Sequence, residues 1–271
     1  MMRVYFLVGM LFWSGVSPAQ PSADSILQTA RDRNDGYSYV STVVLRLIDS
    51  KKKVRERAFY MLQKDINDSE ERALMSFHSP SDVRGVSFLI TNYDEEQSKA
   101  DDQWMYLPAF RKTRRIGSND KRGSFMGSVF NYSDLDNIRV KDYDNTLLAE
   151  ETIGDRSAWR IERIPVNQAV ISKTGYYKTH VWIDKQRHIV LQQHYFNAKG
   201  IVFKTQETID VDNLQDIWTI TKSRATDIEK NKQSEMLFLS TVYNVDISEE
   251  KINQRSLKRG IQSNDIPERT K

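Results

Sequence analysis

The chain contains no cysteine. That one absence excludes disulfides, thiol chemistry and an N-terminal lipid-modified cysteine together. Proline and glycine are sparse, six and eleven of 271 residues. No Pro/Gly/Ser-rich linker and no repeat of fixed period divides the chain, so one domain is expected over residues 20–261. The last residues, 262–271, are polar and predict a flexible tail. A core of this size can stabilise an exported protein without disulfides.

Long apolar runs are also missing, with one exception. Arg3 precedes an apolar stretch from Val4 to Val16, followed by Ser17-Pro18-Ala19. This is the pattern of a secretory signal, with small residues at −3 and −1 of a cleavage point after Ala19. The stretch falls short of the roughly 20 residues a membrane span needs. Cleavage removes 19 of 271 residues and leaves 252, beginning at Gln20. The expectation is a soluble protein of the bacterial periplasm. A twin-arginine signal is excluded, because the only striking arginine pair, Arg114-Arg115, lies far from the N-terminus.

No charge of one sign dominates. Forty Lys and Arg face 37 Asp and Glu, and the net charge of +3 falls to +2 without Arg3. That balance argues against nucleic acid as a partner. Catalytic signatures are absent too: no G-x-S-x-G elbow, no phosphate loop and no H-E-x-x-H. Carboxylates are interleaved with Lys and Arg, as on a solvated strand face, and no acid–base pair stands out by spacing. The histidines are His78, His180, His188 and His194. Symmetric closure of the 184–187 turn pairs His188 with Ile183 and His194 with Tyr177, leaving His180 opposite Leu191. They then fail to converge on a metal, although another register brings His180 nearer His188. The reading is a non-enzyme without cofactor or metal.

What is present is β-structure. A short amphipathic helix is expected near 22–34, capped by Ser22 or Asp24 and ended by Gly36. Thereafter runs rich in Val, Ile, Thr and aromatics predict strands near 37–48, 54–64, 71–78, 86–92, 102–107 and 145–153. Others follow near 157–164, 176–184, 188–196, 201–210, 217–227 and 234–246. Turns at 154–157, 184–187 and 197–200 have hairpin spacing and so force antiparallel pairing. Residues 201–209 alternate, which predicts one wet face. The stretches 43–48, 104–107 and 236–239 are apolar on both faces and need cover on both sides. A curved sheet with a filled or ligand-holding concave side supplies it; a plain two-sheet sandwich is the alternative.

The segment 101–135 is the least ordinary. Asp102-Gln103-Trp104-Met105-Tyr106-Leu107-Pro108 is an aromatic strand ending at a proline. A basic stretch follows, with Arg111, Lys112, Arg114, Arg115, Lys121 and Arg122. It is either a solvated loop or a rim for phosphate headgroups or an acidic partner, for which Arg111, Arg114 and Arg115 are the candidates. Gly123 and Gly127 then bracket Phe125-Met126 and permit sharp turns. Trp104, Tyr106, Leu107, Phe125, Met126, Phe130 and Tyr132 are either simple core or the lining of an acyl-chain site, where aromatics and flexible Met adapt to irregular shapes.

These motifs carry a resemblance. Asp102 to Pro108, Arg114-Arg115-Ile116, Ser124-Phe125-Met126-Gly127-Ser128 and Tyr132-Ser133-Asp134-Leu135 resemble the outer-membrane lipoprotein-sorting protein family. So do Phe77-His78-Ser79-Pro80-Ser81-Asp82-Val83-Arg84-Gly85 and Phe88-Leu89 upstream. The resemblance implies a mainly β, LolA/LolB-like fold: an incomplete, strongly curved antiparallel β-barrel with a few covering helices. It also implies a carrier of lipid or acylated lipoprotein cargo, with transient membrane-surface contact. The alternative is an adaptor that docks on an inner-membrane lipid transporter and holds no cargo.

Overall fold

The computed structural model of the protein describes residues 20–97 and 99–267. The expected leader and its cleavage point after Ala19 lie outside the described residues. Thirteen strands form one antiparallel sheet that curls strongly without closing. The first six are β1 (Ser38–Ile48), β2 (Val54–Asn67), β3 (Glu70–Ser79), β4 (Ser87–Tyr93), β5 (Asp102–Leu107) and β6 (Lys112–Arg115). The remainder are β7 (Tyr143–Ile153), β8 (Arg156–Pro165), β9 (Lys178–Asp184), β10 (Val190–Phe196), β11 (Val202–Leu214), β12 (Ile217–Asp227) and β13 (Lys232–Tyr243). Their order is β6-β5-β4-β3-β2-β1-β13-β12-β11-β10-β9-β8-β7. Two meanders therefore meet where β1 pairs with β13, and the free edges are β6 and β7. The chain passes from one edge to the other through residues 116–142.

Short polar side chains fix the hairpins. Asp184 Oδ1 accepts from the backbone N–H of Gln186 and Arg187, each at 2.8 Å. Asn197 Oδ1 accepts from Lys199 at 3.0 Å and Ile201 at 3.1 Å, and Asp49 Oδ1 from Lys51 at 2.9 Å and Lys53 at 3.0 Å. Such Asx-type bonds replace the missing ladder partner at the reversal. The 184–189 turn is longer than symmetric closure requires: Val190 pairs with Ile183, and His194 stands opposite His180. The expected pairing of His194 with Tyr177 and of His180 with Leu191 is thereby corrected. Strand β6 went unexpected because Lys-Thr-Arg-Arg has no apolar alternation; β5 alone recruits it.

The register connects all strands to one inner face. Leu45 aligns with Met236, Ser223 and Thr208. Two residues along, Gln206 aligns with Gln193, Val181 and Ile161. On this face Val43, Phe59, Met75, Phe77, Phe88 and Met105 pack against Phe125 and Phe130 of the crossing segment. Farther round the same face, Ile161, Val181 and Ile183 pack against helix α1 (Ala23–Arg31). Ser22 caps α1 by accepting from Ser25 N–H at 3.1 Å, and Ile26, Leu27 and Ala30 form its buried stripe. A second helix, α2 (Gln168–Thr174), begins where Asn167 Oδ1 accepts from Ala169 N–H at 2.9 Å and ends at Gly175, φ 78°.

The outer face of β1–β5 carries Val40, Leu62, Leu74, Leu89 and Tyr106. The chain after β13 lies across them as a strap, burying Ile247, Ile252, Leu257, Ile261 and Ile266, with α3 (Ser256–Arg259) at its centre. Strand 104–107 is thus covered on both sides, as its composition requires. In β13 the outer side is open instead, and Leu239 is 62% exposed. The flexible tail expected from Gln262 does not hold over 262–267: Ile266 is buried, and Asp265 pairs with Lys251 and Arg259 at 2.9 and 3.0 Å.

Gly260 shows how closely the strap sits. Its φ is 65°, and a Cβ there would stand 2.5 Å from Ser76 Oγ and 3.4 Å from Ser87 Oγ. Gly260→Ala meets both a strained backbone and a filled space, so it should destabilise by about 1–3 kcal/mol. A denaturant midpoint equal to that of the parent would show that the strap is not held against β3 and β4.

Candidate functional site

The crossing segment folds into a compact plug. Phe125 N–H donates to Phe130 C=O at 2.7 Å, Tyr132 N–H to Gly123 C=O at 3.0 Å, and Ser128 Oγ to Phe125 C=O at 2.6 Å. Met126 (φ 52°) and Gly127 (φ 73°) both occupy the left-handed region, which reverses the chain within two residues. The reversal drives Phe125 into the inner face. Its ring centroid lies 5.1 Å from Phe88, 5.9 Å from Tyr132 and 6.1 Å from Phe77.

Buried ion pairs anchor the plug at its far end. Asp134 pairs with Lys204 of β11, and Tyr176 Oη donates to Asp134 Oδ1 at 2.6 Å. Lys204 Nζ is also 2.8 Å from Tyr176 Oη. Asp136 receives Lys121 Nζ at 2.9 Å, Lys173 Nζ of α2 at 2.9 Å and Gln103 Nε2 of β5 at 2.8 Å. Burial lowers the pKa of Lys121 and of Lys204, while the adjacent aspartates pull the other way and favour the charged forms. The plug is thereby tied to strands in both meanders.

Between the plug and the inner face lies a cavity of about 280 Å³. Phe130 and Leu135 form its plug side; Tyr39, Met236, Phe238 and Tyr243 come from the sheet. Its walls draw on β1, β10, β11, β12 and β13, and only the concave side of a curled sheet lets five successive strands meet one space. Thr208, Thr219 and Gln206 make the lining mixed rather than purely apolar. Asp35 stands at the cavity, where burial lifts its pKa to about 6; burial and the charge of Asp35 raise Glu71 to about 7.

The residues expected to line an acyl site do not gather in one place. Phe130 lines the cavity. Phe125 is fully buried in the aromatic cluster, and Met126, Tyr132 and Leu107 pack against the same core. Trp104 and Tyr106 lie on the opposite face, under the strap. The cause is simple alternation, since Met105 and Leu107 point inward and their neighbours cannot. Tyr39, Phe238 and Tyr243 were missed because they lie outside the 77–135 motif region, far from it in sequence. The both-face apolarity of 236–239 was the available signal.

The basic stretch also divides. Arg111 and Arg114 are exposed, as is the adjacent Phe110 at 69%. Arg115 is held by Asp102, its Nε donating at 2.7 Å. Lys121, expected on the same rim, is instead buried against Asp136. Among the described residues, no three His, Asp or Glu side chains are grouped to hold a metal ion.

A curled, open antiparallel sheet with a plugged concave side and a partly open cavity against it defines a carrier-like half-barrel. A family model described as "uncharacterized protein" matches residues 69–259, and the chain belongs to that family. The solved relatives agree with the class read from the motifs. A domain described as an outer membrane lipoprotein-sorting protein from Vibrio parahaemolyticus is 27% identical, covering 88% of this chain and 98% of its own, with TM-score 0.79. A DUF1329 family protein from Desulfovibrio piger is 25% identical over 87% and 97%, with TM-score 0.80. A LolA superfamily protein from Nitrosomonas europaea shares the fold at 16% identity, over 88% and 100%, with TM-score 0.65. No curated protein matches the sequence.

Proposed function

We propose that the protein is a periplasmic, non-enzymatic carrier that shelters an acyl chain of a lipid or lipoprotein between the plug and the concave face. The observation that carries this reading is the partly open cavity at Phe130, Leu135, Met236 and Phe238. An acyl chain gains roughly 0.8 kcal/mol per buried CH₂, so shelter alone makes transfer across water feasible and no chemistry is needed. The cavity lies near the lower end of the roughly 300–1,000 Å³ usual for ligand pockets. A longer chain therefore enters with some displacement of the plug. Export with cleavage after Ala19 belongs to the same proposal, and N-terminal sequencing of protein from the native envelope tests it. Among the described residues no helix is long and apolar enough to cross a membrane.

Lipid extraction from protein purified out of its own envelope, paired with displacement of a fluorescent acyl probe, tests the carrier reading. Phe238 is only half-buried. Phe238→Ala should weaken probe binding about tenfold while unfolding within about 1 kcal/mol of the parent. Lipid-free native protein that also ignores the probe would leave the adaptor reading, in which the chain docks on an inner-membrane lipid transporter.

Either reading uses the exposed β5–β6 tip, for which Arg111 and Arg114 are the docking candidates and Phe110 stands beside them. Each basic residue near an anionic surface contributes roughly 1 kcal/mol. The pair Arg111→Ser/Arg114→Ser should therefore weaken binding to anionic vesicles about 10- to 30-fold, and added salt should erase the difference. Arg115, already paired with Asp102, should contribute less. Vesicle binding indifferent to both substitution and salt would make this tip an ordinary solvated loop.

A further inference from the structure

A second, smaller cavity of about 110 Å³ lies beside the first, between α2, the 133–143 segment and the inner faces of β8, β9 and β10. Asp134 lines both cavities, and the hydrogen bond from Tyr195 Oη to Gln206 Oε1, 3.1 Å, joins their walls. Arg163 of β8 lies on this smaller cavity and is 7% exposed. Its guanidinium donates to Asn145 Oδ1 at 3.2 Å and to Arg139 C=O at 2.6 Å, and stacks 4.1 Å over Tyr143. It makes no ion pair with any described carboxylate. Asp142 and Glu95 act on it only from beyond ion-pair distance; a buried cation without a carboxylate in contact is costly, and arginine does not escape by losing its proton.

The carboxylates that share the cavity are committed elsewhere. Asp134 is held by Lys204, Asp136 by Lys121 and Lys173, and Asp142 faces Arg139 at 3.9 Å. Three further side chains around the space have hydrogen-bonding capacity unused by any described residue. Ser133 Oγ is buried without a partner. Thr179 is 4% exposed, and neither its hydroxyl nor the amide of Gln193 bonds to another side chain or to the backbone. A lone buried arginine flanked by two hydroxyls and an amide forms a set of convergent donors. The volume suits a small oxyanion, since a water molecule occupies about 30 Å³.

We propose that this cavity is an anion subsite for a carboxylate or a phosphate monoester, with Arg163 supplying the charge and Thr179, Ser133 and Gln193 the flanking donors. This inference rests on the carrier reading for one step only: an amphiphile with its chain in the larger cavity places its charged end here. The cargo class is then an anionic amphiphile rather than a neutral lipid.

The test compares dodecanoate with dodecanol as competitors of a fluorescent acyl probe, and inorganic phosphate with chloride at equal ionic strength in thermal unfolding. Parent protein should prefer the acid by about tenfold or more, the worth of a charged hydrogen bond. Arg163→Gln should erase that preference and leave dodecanol binding unchanged, and Arg163→Lys should retain part of it. If Arg163→Gln fails to fold, Thr179→Val, nearly equal in shape, should reduce the preference several-fold. Equal affinity of the parent for acid and alcohol, with no stabilisation by phosphate, overturns the subsite and leaves the carrier intact. Stabilisation by phosphate that is lost in Arg163→Gln, without binding of either amphiphile, overturns the carrier reading and assigns the site to free phosphate. Silence in both arms overturns both.

Discussion

Phe125→Ala should cost about 3–5 kcal/mol of folding stability, the range for removing a large aromatic from a packed core. The ring is fully buried and touches Phe77, Phe88 and Tyr132 in tilted and edge-to-face arrangements. It enters from the plug, so its loss leaves a void between the crossing segment and the sheet rather than within the sheet. Acyl-probe affinity should change less than stability, because Phe125 is not among the cavity-lining residues. Chemical denaturation and probe titration on the same variant separate the two effects. A stability loss below about 1 kcal/mol together with abolished probe binding would move Phe125 from the core to the ligand site.

That outcome bears on what the sequence could reveal. Alternation and Asx-type turns are local, so most strands were visible from residues a few positions apart, and the resemblance around 77–135 supplied the curl. The motif's residues looked like one site because they are contiguous. Strand geometry then separated Trp104 and Tyr106 from Phe125 and Phe130, sending them to opposite faces of the same sheet. Helix α2 was invisible because its seven residues carry two buried side chains, too few for a period. The C-terminal strap was hidden by its polar average, although Ile252, Leu257, Ile261 and Ile266 each reach the outer face. Lys121 read as part of a basic rim because nothing near it in sequence announces Asp136 as its partner.

The anchors pose the second large effect. Lys204→Met should destabilise the protein by about 3–5 kcal/mol, because it strands Asp134 in a buried site. Lys204 is 3% exposed, and the distance in sequence to Asp134 is 70 residues, so the pair ties the plug to β11 across the concave face. Tyr176 Oη and Asn131 N–H still donate to Asp134 in the variant, but two neutral hydrogen bonds do not replace a cation in a low-dielectric setting. Adding Asp134→Asn to Lys204→Met should restore part of the loss, since the stranded charge is then gone, and an Asn whose oxygen accepts from Asn131 N–H can turn its NH2 to donate to Tyr176 Oη. Amide exchange should quicken over 123–135 in the single variant more than in β2 or β3, because these residues lose an anchor while the sheet keeps its ladder. Additive losses in the double variant, or exchange that quickens uniformly, would mean that the pair stabilises the sheet as a whole and does not latch the plug. If the latch holds as described, the single variant should also admit the acyl probe faster than the parent, for the plug must yield before a chain longer than the 280 Å³ cavity can enter.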